Sequence, residues 1–322
     1  MKQQAAHSAG RTALLRVFQV GAVTTAAFSL LTLLDEWHRL LELFSHFRVQ
    51  YCAVAVVLAA IFLIFRERNW LLGMLAIAAV NAAFVVPWYF PPRQAVIDNA
   101  SSLTILHANV YGGNDDYPRF IELLAAEQPD IFFVQELSAG LQNALRAVHA
   151  NYPYHQAVIR DDYFGIAVYS RLPLDQVTIH ESPPLSLPSL VVALRLPSGP
   201  VTLLSTHPSN PIGRGLASAR NQQLHDIGVL ANSLPAPLVL IGDLNISIWA
   251  HHYRQLVEQT GLRNARQGFG ILPSWPAQLP FARIPIDQCL VSPGIEVVEI
   301  RTGPAFGSDH LPLMVTLRVA AN

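Results

Sequence analysis

Residues 17–34, 49–65 and 71–90 of this 322-residue chain form three runs without a single charged side chain, all within the first ninety residues. A helix rises about 1.5 Å per residue, so about 18 such residues cross most of a ~30 Å bilayer core. The second run is slightly short, and the third is interrupted by Asn81 and Pro87 near its end. Their flanks fit membrane helices: Arg11 and Arg16 precede the first, Arg66, Glu67 and Arg68 separate the second from the third, and Trp70, Trp88 and Tyr89 sit at interface depth. The plainer reading is a buried helical hairpin of a soluble protein. A secretory signal peptide would explain only the first run, and no small-residue cleavage site stands out after it. Cationic ends before the first span and between the second and third are expected in the cytoplasm, so three crossings put residue 91 onward on the far side. Pro91-Pro92 ends the third span. The expected organisation is a membrane region with three transmembrane helices over residues 1–92, a linker over 93–100 and a second domain over 101–322.

Composition divides the chain at the same place. It is 52% hydrophobic with a mean hydropathy of +0.32, too apolar for an ordinary soluble enzyme, and the excess lies in the first ninety residues. Those carry seven Lys or Arg against four Asp or Glu, whereas residues 91–322 carry fourteen against eighteen. An acidic second domain argues against a broad, sequence-independent grip on duplex nucleic acid, which needs many cationic phosphate contacts. Cys52 lies in an apolar run and Cys289 in an expected strand, without metal-binding spacing, so both read as core or lipid-facing residues.

From residue 103 the pattern becomes short apolar strands separated by turn residues and a few helices. Strands are expected over 103–108, 131–134, 165–169, 190–196, 201–205, 238–241, 288–291, 295–300 and 312–319, with an amphipathic helix over 118–127. That many strands with few helices suggests two packed sheets flanked by helices. No internal repeat is visible. The clearest strand, Leu238-Val239-Leu240-Ile241, is buried on both faces by its composition and ends in Gly242-Asp243-Leu244-Asn245. Asp243 and Asn245 point the same way at the strand edge where α/β sheets bind ligands. Asn109, Glu136, His207, Asp287 and the pair Asp309-His310 mark other strand ends. Each has a bland explanation as a cap, turn former or surface charge. Their shared placement is what suggests a site.

In this order these residues resemble the endonuclease/exonuclease/phosphatase superfamily. The likeness rests on Asn109, Gln135-Glu136, Gly165-Ile166-Ala167-Val168-Tyr169-Ser170-Arg171, Ser205-Thr206-His207, Gly242-Asp243-Leu244-Asn245, Ile286-Asp287 and Ser308-Asp309-His310-Leu311-Pro312-Leu313, and covers about residues 101–320. Leu272-Pro273-Ser274-Trp275-Pro276 and Arg283-Ile284-Pro285-Ile286-Asp287 further resemble a bacterial subgroup with an N-terminal membrane region. The resemblance implies a four-layered α/β sandwich, two central sheets flanked by helices, with the site at one end. Gln288 departs from the pattern, where His or Tyr is frequent, at a position usually outside the reacting groups.

The implied chemistry is phosphodiester hydrolysis, which must shield the non-bridging oxygens, align a water opposite the leaving oxygen and stabilise that oxygen. The resemblance makes Glu136 the main metal ligand, with Asn109 and Asp309 completing or bracing the shell. Hard oxygens suit Mg²⁺, Mn²⁺ would serve as well, and zinc is disfavoured. Asp243 is expected to hold or deprotonate the water, with Asn245 orienting both Asp243 and a phosphate oxygen. His310 would pair with Asp287 and contact the phosphate, and His207 would donate from the other side. Whether Asp243 or the Asp287-His310 pair is the base stays open. The expected protein is thus a membrane-anchored, Mg²⁺-dependent phosphoesterase, its catalytic domain on the periplasmic side of a bacterial inner membrane. Its partners would be the bilayer and a phosphate ester, whether nucleic acid, phospholipid headgroup or small diester, with no protein partner. Trp275 is expected either to shape the substrate pocket or to pack in the core. The alternative is a catalytically idle membrane scaffold that binds a partner through the sandwich.

Overall fold

The computed structural model describes residues 2–92 and 99–320, so most of the expected linker over 93–100 lies outside the described residues. Contacts divide the chain into two compact units, Met1–Pro87 with Trp249–His251, and Trp88–Ile248 with His252–Asn322.

The first unit is helical. It comprises α1 (Lys2–Leu31), α2 (Arg39–Ser45), α3 (Arg48–Phe65) and α4 (Arg68–Val85). The segments Gly10–Leu34, Arg48–Phe65 and Arg68–Tyr89 are each long and apolar enough to cross a membrane. They meet through small and apolar residues, among them Ala22, Ala55, Ala59, Phe62 and Ala78, which let backbones approach. Asn81 is buried and donates from Nδ2 to Ser29 Oγ (2.6 Å), so the polar residue that interrupts the third run ties α4 to α1. Outward faces remain apolar, with Val17, Val20, Leu63 and Ile64 exposed, as suits a lipid surroundings. The short α2 was not expected in the mixed-charge stretch after the first run. His38 starts it by accepting from the Leu40 N–H (3.2 Å).

The second unit holds two six-stranded mixed sheets. The first contains β1 (Ser101–Asn109), β2 (Ile131–Gln135), β3 (Tyr154–Val158), β4 (Ile166–Ser170), β11 (Ile295–Thr302) and β12 (Leu313–Val319), in the order β11-β12-β1-β2-β4-β3. The second contains β5 (Leu174–Ser182), β6 (Leu187–Leu196), β7 (Gly199–Thr206), β8 (Leu238–Asp243), β9 (Arg263–Asn264) and β10 (Asp287–Val291), in the order β5-β6-β7-β8-β10-β9. The helices α5 (Tyr117–Glu127), α6 (Ala139–Ala144), α7 (Leu216–Ser233) and α8 (His251–Thr260) flank them, completing the expected sandwich. Although the sequence shows no repeat, the two sheets share one wiring. In each, two strands joined by a helix run parallel in the middle, β1-α5-β2 and β7-α7-β8, and the remaining neighbours are antiparallel.

Alternation along the strands fixes the layers. On β1, Leu103 and Ile105 face the second sheet, whereas Leu106, Ala108 and Val110 join Phe120, Leu124, Phe132 and Tyr169 beneath α5 and α6. Opposite Leu103 and Ile105 lie Val192, Leu203, Val239, Ile241, Cys289 and Val291. Cys289 is therefore a core residue. Three strands were not legible beforehand: β3, β5 and β9. All three pair on one side only, at a sheet edge; β9 is only two residues long, and β3 and β5 expose most of their residues, so none has an apolar run to betray it.

Candidate active site

At one end of the sandwich the inter-sheet core turns polar, strand by strand. The inner face of β1 reads Leu103, Ile105, His107, Asn109; that of β2 reads Ile131, Phe133, Gln135; that of β8 reads Val239, Ile241, Asp243. β10 runs antiparallel to β8, so Asp287 opens its strand rather than ending it, yet pairs in register with Asp243. The backbone confirms that these ends are special. Glu136 and Asn245 follow their strands in the left-handed region, at φ 59° and 51°, a conformation Asn tolerates and Glu rarely adopts.

Gln135 closes the two sheets over this end. Its Nε2 donates to Thr206 O (2.7 Å) and its Oε1 accepts from the Asp243 N–H (2.9 Å). Gly242 is required here, because a Cβ would lie 2.0 Å from Thr206 O. Above this floor the side chains form one connected network. Asn109 Nδ2 donates to Glu136 Oε1 (3.0 Å) and to Asp243 Oδ2 (3.2 Å), while its own Oδ1 accepts from the Tyr111 N–H. Glu136 Oε2 accepts from the Gly112 N–H (2.7 Å). His207 Nε2 and His310 Nε2 lie 3.7 and 3.6 Å from the same Asp243 Oδ2, and the Asn245 N–H donates to Asp243 Oδ1 (2.8 Å). His310 Nδ1 lies 2.8 Å from Asp287 Oδ2. Trp275 Nε1 donates to Asp309 Oδ2 (2.9 Å), leaving Asp309 Oδ1 buried without a partner among the described residues.

Burial and charge sort these groups. Burial alone would depress His310, but Asp287 and Asp243 beside it outweigh that and raise it to about 10, so it is a cation at neutral pH. His207 is lowered to about 4 by burial, which Asp243 only partly offsets, so its ring is neutral. Burial raises Glu136 and Asp243. Asp287 is also buried, but His310 and His107 hold it well below the usual carboxylate range. Asp243, Asp287 and His310 each offer an atom within 4.8 Å of the others, a spacing that would also suit a metal ion. The hydrogen bonds argue for an ion-paired cluster instead, since Asp287 is saturated by histidines and His310 is charged.

A family model described as the endonuclease/exonuclease/phosphatase family matches residues 106–310. This chain belongs to that family. No curated protein sequence matches it. Among solved structures, an endonuclease/exonuclease/phosphatase protein of Beutenbergia cavernae is 20% identical, with a TM-score of 0.54 over 68% of this chain and 72% of that one. A family protein from Bacteroides thetaiotaomicron is 18% identical, with a TM-score of 0.56 over 69% and 96%. Humanised D. rerio TDP2 carrying 14 mutations is 17% identical, with a TM-score of 0.57 over 67% and 98%. At such identities the likeness concerns the fold.

Within this endonuclease/exonuclease/phosphatase domain, all eight residues singled out from the sequence, Asn109, Glu136, His207, Asp243, Asn245, Asp287, Asp309 and His310, lie at the same end of the sandwich. Asn109 turns its amino end toward the carboxylates, which suits a brace. Asn245 steadies Asp243 through its backbone, its side chain donating to Pro208 O (3.0 Å). Trp275 is half-buried, with its ring centroid 6.4 Å from that of His310. Gln288 makes its hydrogen bonds away from this network, accepting from Arg266 Nη1 (2.6 Å) and donating to Pro285 O (2.8 Å). Two residues were given no role by the sequence reading. Ser274 donates to Asp287 Oδ2, and His107 Nε2 lies 2.9 Å from Asp287 Oδ1. His107 was detectable by parity alone, because it sits two residues before Asn109 and shares its face.

Proposed function

We propose that this protein is a membrane-anchored, divalent-metal-dependent phosphodiesterase. The observation that carries the reading is the convergence of Asn109, His207 and His310 on one oxygen of Asp243, with Glu136 and Asp309 in the adjoining motifs. Glu136 and Asp309 fit a hard dication: Asp309 Oδ1 is buried without a partner among the described residues, and burial leaves the Glu136 charge poorly compensated. Mg²⁺ suits these oxygens, Mn²⁺ would serve, and Asn109 would brace the set. When bound, the ion would offset charge on the phosphate oxygens and the leaving oxygen.

The chain's own residues supply the rest. A cationic His310 has no lone pair free for an incoming proton, which leaves Asp243, its affinity for a proton raised by burial, to hold the attacking water and take its proton. His310 faces the developing negative charge, kept cationic by Asp287. Neutral His207 donates to a non-bridging oxygen or the leaving group, its ring flanked by Phe164 at 5.2 Å. Loops springing from these residues carry exposed Tyr111, Tyr163, Ile212 and Phe281. Such a rim, on an acidic domain, favours a lipid headgroup or small phosphate ester over a polynucleotide. The apolar helices would anchor it in a bacterial inner membrane, with residues 101–322 on the periplasmic side.

The full chain in neutral detergent should hydrolyse bis-p-nitrophenyl phosphate with Mg²⁺ and lose activity with a chelator. Glu136→Gln keeps the shape and removes the charge, so it should lower activity by orders of magnitude and weaken Mg²⁺ binding. No hydrolysis by the wild-type chain, or a Glu136→Gln variant of full activity at limiting Mg²⁺, would overturn the assignment.

A further inference from the structure

His107 has no part in the chemistry above, yet it occupies a costly position. It is fully buried on the inner face of β1, directly after Leu103 and Ile105, where another branched apolar side chain would fill the inter-sheet core without desolvating a polar ring. Its hydrogen bonding has a single object. Nε2 lies 2.9 Å from Asp287 Oδ1, across the gap between the sheets, while Nδ1 is buried without a partner among the described residues. A ring kept for cohesion would use both nitrogens or neither.

The other end of that bond shows what it achieves. Asp287 Oδ2 is shared by His310 Nδ1, at 2.8 Å, and by Ser274 Oγ. Among the side chains of the described residues, Oδ1 meets His107 alone within hydrogen-bonding distance. A carboxylate held through one oxygen rotates about its Cβ–Cγ bond, whereas one held through both has its plane fixed. We infer that His107 is a positioning residue: it clamps the free oxygen of Asp287 so that the other presents one orientation to His310, and through it sets the angle at which that imidazole meets the phosphate. Three side chains, from β1, β10 and the loop between β11 and β12, thus form one relay, His107–Asp287–His310, with the first member outside reach of substrate. This rests on the phosphodiesterase reading for its functional consequence, though not for its geometry.

The test uses the full chain in detergent and three substitutions. His107→Leu and His107→Asn remove the donor at the Nε2 position, the second because its amide is too short to reach. His107→Gln keeps a donor near that position. With bis-p-nitrophenyl phosphate, Leu and Asn should each lower kcat about 10- to 100-fold, the range typical for residues that orient a functional side chain, with KM changed less than about twofold. Gln should recover most of kcat. A second readout needs no activity: the deshielded proton between His310 and Asp287 should give a downfield proton resonance in wild type and Gln that is lost or moved in Leu and Asn. If Leu and Asn lower only the thermal midpoint and leave kcat and the resonance as in wild type, His107 is merely a core residue and the inference fails. If Gln is as impaired as Leu, the donor is not what matters and it also fails. A wild-type chain with the resonance but no hydrolysis would instead overturn the phosphodiesterase reading and leave the relay standing.

Discussion

Asp243 and His310 lie 3.6 Å apart at their nearest atoms, but they are assigned to opposite partners in the reaction, the water and the phosphate. Removing a positioned base or a charge-stabilising donor costs about 10²- to 10⁴-fold in rate, or roughly 3 to 5 kcal/mol of barrier. Asp243→Asn and His310→Ala should each lower kcat far more than they raise KM, and the double variant should lose much less than the product of the two, since under the proposed mechanism both would serve one displacement. Multiplicative losses would place them in separate centres. The charge of His310 has its own signature. Its folded value of about 10 stands above its ordinary 6.5, so the stability it contributes is complete below about 6.5 and lost as pH rises through 10. In metal-free detergent solution, the difference in thermal midpoint between wild type and His310→Gln should therefore be largest near neutral pH and shrink toward pH 10. A difference that disappears by pH 8 would mean that the ion pair with Asp287 is weak. Residues of this kind were legible because each stands at, or a few residues from, one end of an apolar strand. His107 carried only a parity signal, its shared face with Asn109, and a lone histidine inside such a strand gains a meaning once its partner on the other sheet is known.

At the scale of elements, every central strand declared itself, whereas of the four edge strands only β11 did. β2, β4, β8 and β10 are buried along their whole length and read as apolar runs with polar residues at one end only, whereas β3 and β5 mix polar and apolar residues because one margin meets solvent. The shared wiring of the two sheets is likewise invisible in sequence, since it lies in pairings rather than in residue identities. What the strands share at the active end is Gln135, which bridges β7 and β8 from the opposite sheet over Gly242. Gly242→Ala would bring a Cβ to 2.0 Å from Thr206 O and 2.7 Å from Gln135 Nε2. Relief requires a backbone shift, so the substitution should destabilise by about 2 to 3 kcal/mol and lower activity together with the denaturation midpoint. An unchanged midpoint would show that the sheets are not closed there.

At the scale of the whole molecule, the helices of the first unit and the sandwich of the second make different demands on solvent. The full chain should stay with membranes through salt and alkaline washing, and a phosphatase reporter fused after Asn322 should be active outside the cytoplasm. Recovery in the soluble fraction without detergent would remove the membrane anchor, and activity of a cytoplasmic reporter instead would reverse the orientation. The pairing of β1 with β12 sets a further condition, on time. Ser101 pairs with Val319, and every residue from there to His107 finds its antiparallel neighbour in the last strand of the chain. Roughly 200 residues separate the two, which at ribosomal speeds of about 5 to 20 residues per second means that β1 waits about 10 to 40 s for that neighbour. Through that interval the strand bearing His107 and Asn109 has an open edge, and the second half of the sandwich, whose own strands pair among themselves, is free to fold first. The centre that joins both halves is therefore among the last parts of the protein to come into being.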